Sequence, residues 1–153
     1  MSLLENLKPL LEFSQGLNLA NPDACQAALT EEFPADGDYI LGITEQLRVG
    51  LADGTLCNRG ELPMKFSRLA KPSEESCGFS VDVVYMSGAG PRHGHPKGEI
   101  DLCIGYSGEP TFDGNAPGWT VYGEDSVHVP IVRDGEMIIL YLLPDGAFEL
   151  VQD

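Results

Sequence analysis

The chain has 153 residues, enough for one domain that buries a core without a disulfide or metal staple. Its 24 acidic residues against 9 basic ones give a formal net charge of −15, which repels phosphate backbones and anionic bilayers and excludes nucleic acid and membrane surfaces as expected partners. With 42% apolar and 22% charged residues the composition is that of an ordinary globular protein, and the acidity then serves solubility.

Leu3, Leu4, Leu7, Leu10 and Leu11 recur at helical spacing, and Pro9 within that pattern is expected to kink or restart the helix. Asn21 and Pro22 make a cap and first-turn pair opening a second helix, with Cys25, Ala28, Leu29 and Phe33 on one side. Pro34 closes it, and Asp36-Gly37 forms a turn. A third helix is expected from Tyr39 to about Leu51, striped by Ile40, Ile43, Leu47 and Leu51. These stripes read as packing surfaces, covering one face of the C-terminal domain or forming a dimer contact.

After Asp53-Gly54 the period changes. Phe79, Val81, Val83 and Tyr85 alternate with Ser80, Asp82, Val84 and Met86, as in a strand. Ser87 to Pro91 reads as a loop. Glu99 to Tyr106 alternates again, with Ile100, Leu102 and Ile104 on one face. Ser126 to Val132, a turn at Arg133-Asp134-Gly135, Met137 to Leu143, the turn Pro144-Asp145-Gly146 and Phe148 to Val151 complete the series. Short strands separated by Asp-Gly turns predict a sandwich or closed barrel.

The four cysteines, Cys25, Cys57, Cys77 and Cys103, include no CxxC pair, which argues against a thiolate zinc site and for reduced thiols in a cytoplasmic setting. The opening MSLLENLKPLLEF lacks the basic start and unbroken apolar run of a secretory signal. No stretch approaches the ~18 apolar residues of a membrane span.

The chain has 3 histidines, and their pattern is informative. His93 and His95 form an HxH pair, and residues two apart on a strand project to one side. Pro96-Lys97-Gly98 can then bend the chain so that Glu99 returns to the same pocket, and His128 lies in a later strand-like segment. Three imidazoles and a carboxylate, with positions left open for water or substrate, suit a catalytic divalent metal ion: Fe, Mn, Ni, Zn or Co. The competing reading is three histidines with no shared role, which would suit one histidine better than this set.

The run Gly90-Pro-Arg-His93-Gly-His95-Pro-Lys-Gly-Glu99 to Gly105 resembles the first motif of the cupin superfamily, and Gly123 to Pro130, containing His128, resembles the second. Glu99 to Gly105 is one residue shorter than the usual spacing, and Gly123 stands further from His128 than usual. Three stretches, GPRHGHPKGEIDLCIG (90–105), PTFDGNAPGWTVYGEDSVHVPIV (110–132) and MIILYLLPDGAFEL (137–150), resemble a small cupin-like family that includes 4-hydroxylaminobenzoate lyase. The resemblance implies a mainly β protein: a cupin-type β-barrel (double-stranded β-helix, or jelly roll) over residues 56–153, with residues 1–55 as a helical segment packing on it. It implies His93, His95, Glu99 and His128 as metal ligands, with Glu99 either a ligand or a proton shuttle.

It implies, further, conversion of 4-hydroxylaminobenzoate and water to 3,4-dihydroxybenzoate and ammonia. Atoms and electrons balance across that reaction, in keeping with the lack of a glycine-rich dinucleotide fingerprint. A small aromatic substrate needs a flat apolar slot. Tyr106, Phe112, Trp119 and Tyr122 lie between the two motifs and are the candidates to stack on it, core packing being the competing role for each. Arg92 is the first candidate to bind the substrate carboxylate, with Arg59 and Arg68 behind it, although a regular strand would point Arg92 away from His93. Asp125 is a candidate to orient an imidazole or a solvated turn residue; Cys103 reads as a buried small hydrophobe, and Asp113-Gly114 as a turn. The alternatives are an Fe(II) oxygenase on the same ligands and a non-catalytic cupin that binds a small ligand. A homodimer is the expected assembly.

Overall fold

A computed structural model of the chain describes residues 2–152. Helix α1 (Leu3–Asn6) opens on a reciprocal cap, in which the Glu5 N–H donates to Ser2 Oγ (3.1 Å) and the Ser2 N–H to Glu5 Oε1 (3.2 Å). Leu7 separates it from α2 (Lys8–Gln15). Pro9 falls in the first turn of α2, where no intrahelical N–H is required, so it restarts the helix as expected. Pro22 plays the same part at the head of α3 (Pro22–Glu32), and Gly54 ends α4 (Asp38–Asp53) in the left-handed conformation that a side chain would resist. The buried stripes are Leu10 and Leu11, Cys25 and Leu29, and Ile40, Ile43 and Leu47. None of the helices of the described residues is long and apolar enough to cross a membrane.

Among the described residues, nine strands come after the helices: β1 (Arg59–Glu61), β2 (Met64–Ala70), β3 (Phe79–Met86), β4 (His93–His95), β5 (Glu99–Phe112), β6 (Gly118–Tyr122), β7 (Ser126–His128), β8 (Val132–Pro144) and β9 (Glu149–Leu150). Six form an antiparallel sheet in the order β1-β2-β3-β8-β5-β6, and three a smaller one in the order β7-β4-β9. The small sheet closes over one face of the large sheet, making the cupin-type barrel that the resemblance implies.

Alternation along the strands divides the large sheet into two faces. Phe79, Val81 and Val83 of β3, Ile100, Leu102 and Ile104 of β5, Trp119 and Val121 of β6, and Ile138, Leu140 and Leu142 of β8 pack in one core with the helical stripes. The opposite parity, Val84, Met86, Cys103, Phe112, Val132, Met137, Ile139 and Tyr141, fills the barrel interior. The helices therefore cover the outside of the sheet, and burying each of these aliphatic side chains contributes about 1.5–3 kcal/mol.

Two features depart from the sequence-based expectation. Arg133-Asp134-Gly135 does not reverse the chain: it lies inside β8, where the pairing with β5 slips opposite Gly108, and a Cβ on Gly135 would fall 2.2 Å from the Ser107 carbonyl oxygen. The β1–β2 hairpin and β6 carry too little regular alternation to be read from the sequence. β2 in particular buries just Ser67 fully.

Candidate metal centre

The HxH pair lies on β4, the middle strand of the small sheet. His93 and His128 are register partners on adjacent strands, so their side chains stand together on one face, and His95 lies two residues further along. Ring centroids are 4.6 Å apart for His93 and His95, 4.7 Å for His93 and His128, and 4.8 Å for His95 and His128. After His95 the chain turns at Pro96-Lys97-Gly98, where the Gly98 N–H donates to the His95 carbonyl (3.1 Å). Gly98 has φ +90, and a Cβ there would sit 2.9 Å from the Tyr122 carbonyl oxygen, so the turn needs glycine. The turn delivers Glu99 as the first residue of β5, facing the barrel interior.

Glu99 Oε1 is 3.4 Å from His93 Nε2 and 3.2 Å from His95 Nε2, and Oε2 is 3.7 Å from His128 Nε2. The ligand atoms of all four residues lie within 4.8 Å of one another. Side-chain exposure is 5% for His93, 0% for His95, 1% for Glu99 and 13% for His128, which makes His128 the most open of the four.

Hydrogen bonds on the far side of each ring decide which nitrogen faces the focus. His93 Nδ1 is 3.1 Å from the Pro91 carbonyl, which can only accept. His95 Nδ1 is 2.9 Å from Ser126 Oγ, whose own proton is given to the Gly123 carbonyl at 2.6 Å. His128 Nδ1 is 2.7 Å from Asp113 Oδ2. In its neutral form each ring thus carries its proton on Nδ1 and turns Nε2 inward. The three Nε2 atoms and Glu99 Oε2 are buried without a hydrogen-bond partner. Buried polar atoms of this kind are costly unless something satisfies them, and one cation at their focus would satisfy all four. The donor set fits a divalent metal ion.

The charges agree. Burial tends to raise the pKa of Glu99, but the close approach of the His128, His93 and His95 imidazoles holds the carboxyl well below its usual range. Asp113 is likewise held low despite partial burial, by His128, Tyr122 and the Ile131 N–H. Asp101, two residues along β5 on the same face, behaves oppositely: full burial and the charge of Glu99 push it well up, favouring the neutral acid.

Of the aromatic candidates, the structure brings Tyr122 and Phe112 to the centre. The Tyr122 ring lies 4.1 Å from that of His128 and stacks on His95 at 5.5 Å, while Phe112 meets His128 edge-on at 6.3 Å from within the barrel core. Trp119 and Tyr106 require correction. Trp119 has the opposite parity to Tyr122 on β6, so its indole enters the core beneath the helices, where Nε1 donates to the Phe33 carbonyl (2.8 Å). Tyr106 lies on that side too, against Tyr85 and under the Arg48 guanidinium.

Among the cations, Arg68 is paired with Asp82 at 3.0 Å, Arg59 is exposed on β1, and Arg92 is exposed beside His93, its carbonyl accepting from the Val151 N–H. Asp125 is exposed and meets the centre through its backbone, its N–H donating to the His95 carbonyl (2.9 Å). Cys103 is buried, as expected.

Three further residues stand at the centre, two of them not evident from the sequence pattern. Asp113, which reads as a plain turn residue, binds His128. Phe148 on the approach to β9 stacks on His93 at 4.8 Å while remaining 44% exposed. Asp101 is detectable from parity, since it shares the inward face of β5 with Glu99 and Cys103.

A family model described as PnbB, 4-hydroxylaminobenzoate lyase, matches residues 10–150. The chain belongs to this lyase family. The match takes in all four members of the cluster and most of the helical segment. Two relatives named 4-hydroxylaminobenzoate lyase agree with it. One, from Nocardioides sp. (strain LMS-CY), is 38% identical over 128 residues, covering 77% of this chain and 76% of the relative. The other, from Pseudomonas putida, is 28% identical over 137 residues, covering 77% of each. Solved structures with a distant likeness include an oxalate oxidase in complex with the substrate analogue glycolate (TM-score 0.43, 15% identity, 60% of this chain and 57% of that one). An RmlC-like cupin protein from Ralstonia eutropha is another (TM-score 0.44, 13% identity, 61% and 62%). Both likenesses are faint, and the barrel of this lyase-family member is defined by its own strand order and pairing.

Proposed function

We propose that this member of the lyase family is metal-dependent and converts 4-hydroxylaminobenzoate and water to 3,4-dihydroxybenzoate and ammonia. The observation that carries the reading is the convergence of three inward-facing Nε2 atoms and one carboxylate within 4.8 Å, in a chain of this family. The reaction is internally balanced. The N–O bond breaks and nitrogen leaves as ammonia, two electrons more reduced, while the ring gains oxygen at two carbons and loses the same two electrons.

His93, His95, Glu99 and His128 would hold the divalent ion. When bound, such an ion supplies Lewis-acid polarisation of an oxygen ligand. The rest falls to the chain. Tyr122 beside His128 and Phe148 over His93 provide aromatic surfaces against which a flat ring can lie. Glu99 has one alternative to holding the ion: left unligated, its ionised carboxylate stands where it can take a proton from the reacting centre and return it to the departing nitrogen.

The test is an anaerobic assay of metal-reconstituted protein with 4-hydroxylaminobenzoate. Ammonia and 3,4-dihydroxybenzoate are expected in equal amounts without dioxygen. Turnover that needs dioxygen would point instead to an oxygenase on the same ligands, and full activity after metal removal would end the metal-dependent reading.

A further inference from the structure

We infer that Asp113 is a positioning residue that locks His128 and Tyr122 into one unit and thereby sets how long the centre retains its metal ion. The inference rests on the reading of the four-residue cluster as a metal site. Asp113 follows the last residue of β5 and has φ +50, a conformation aspartate tolerates better than most side chains. It is fixed there by two bonds to Ile131: its N–H donates to the Ile131 carbonyl (2.9 Å), and its Oδ1 accepts the Ile131 N–H (2.8 Å). Both remaining donors converge on Oδ2. One is His128 Nδ1 at 2.7 Å and the other the Tyr122 hydroxyl. A single carboxylate oxygen thus ties together side chains from β7 and β6.

The arrangement is asymmetric. His93 and His95 are oriented by neutral acceptors, the Pro91 carbonyl and the Ser126 hydroxyl, whereas His128 is oriented by an anion. His128 is also the most exposed of the three rings. Without Asp113 its ring would be the freest to turn, and either nitrogen could carry the proton. The anionic acceptor fixes Nδ1–H and makes Nε2 a stronger donor, the role carboxylates play behind metal-binding histidines. Tyr122 completes the unit: with its hydroxyl held by the same oxygen, its ring is braced 4.1 Å from the imidazole and blocks that ring from swinging.

The experiment follows loss of Co(II) from the loaded protein under excess chelator. A dissociation rate is chosen because removing Asp113 would also ease deprotonation of His128 in the metal-free state, which biases affinity but leaves the rate of release untouched. Asp113→Asn is expected to lose Co(II) roughly 10–100-fold faster than the wild type. Tyr122→Phe is expected to accelerate loss by a smaller factor and to add nothing on top of Asp113→Asn, because the two act through one oxygen. Histidine-selective ¹⁵N spectra of the Zn(II)-loaded protein supply a second readout, with the Nδ1–H signal of His128 retained in the wild type and weakened by exchange in the Asn variant. These spectra, and Tyr122→Phe, remain decisive if Asp113→Asn folds poorly. Equal release rates for wild type and Asp113→Asn, or additive effects of the two substitutions, would overturn the inference and leave the metal site standing. A wild type that takes up no Co(II) would remove the metal site itself, and the inference with it.

Discussion

Nδ1 of His128 and Oδ2 of Asp113 lie 2.7 Å apart although 15 residues separate them, and the contact joins the end of one sheet's longest strand to the edge of the other sheet. Through it, the conformation of a turn governs the direction in which the His128 Nε2 faces the cluster.

His95 is the most deeply buried imidazole of the centre, so no other side chain can move in to replace it. His95→Ala is expected to lower metal retention and ammonia release by roughly 100-fold or more, beyond what loss of an orienting partner costs. Elemental analysis and the ammonia assay measure both. Unchanged metal content would remove His95 from the ligand set.

In the metal-free protein, burial would lower the pKa of His128, but the hydrogen bond to Asp113 and the nearby charge of Glu99 outweigh it and carry the pKa up to about 9. A folded-state pKa above the ordinary value of 6.5 means that the protonated ring stabilises the fold fully below about pH 6.5, and that this contribution disappears as pH rises through about 9. Thermal unfolding of the metal-free protein should therefore shift to lower temperature between pH 7 and about 9.5. Metal has to displace the same proton. Its apparent affinity should rise by about tenfold per pH unit up to about 9 and then level off. A flat affinity profile across that window would show that no such proton is held.

Phe148 stacks on His93 yet is 44% exposed, an unusual position for a phenylalanine. If an aromatic substrate lies against it, Phe148→Ala should raise KM about 2–10-fold, the worth of one aromatic contact, with little change in kcat. A fall in kcat at constant KM would assign Phe148 to the support of His93 instead.

Trp119 serves the other face of the sheet. Trp119→Phe removes the bond to the Phe33 carbonyl and leaves a small cavity, for an expected loss of about 1–3 kcal/mol of stability. KM for the aromatic substrate should not move. A raised KM without loss of stability would restore Trp119 to the substrate slot.

The centre is readable in the sequence because its signal is local: HxH and Glu99 lie within seven consecutive residues, and strand alternation alone puts the imidazoles on one side. The same alternation, applied to β6, separates Trp119 from Tyr122, but the limits of β6 are not apparent without the structure, so position between the motifs groups the two together. Asp113 is hidden for a different reason. Its part depends on a positive φ and on the approach of Ile131 and His128 from distant segments, and an Asp-Gly pair in a sequence signals a turn far more often than a carboxylate at a metal centre. The helical stripes are legible as packing surfaces, since Pro9, Pro22 and Gly54 punctuate them where helix geometry requires.

Strand β9 spans just Glu149 and Leu150, stands outside both hydrophobic cores, and is the rail on which one side of β4 rests, with Leu150 opposite His93. Loosening of this short strand would accordingly disturb the centre without reaching either core, because the ring of His93 would lose both its backing strand and the phenyl group lying across it.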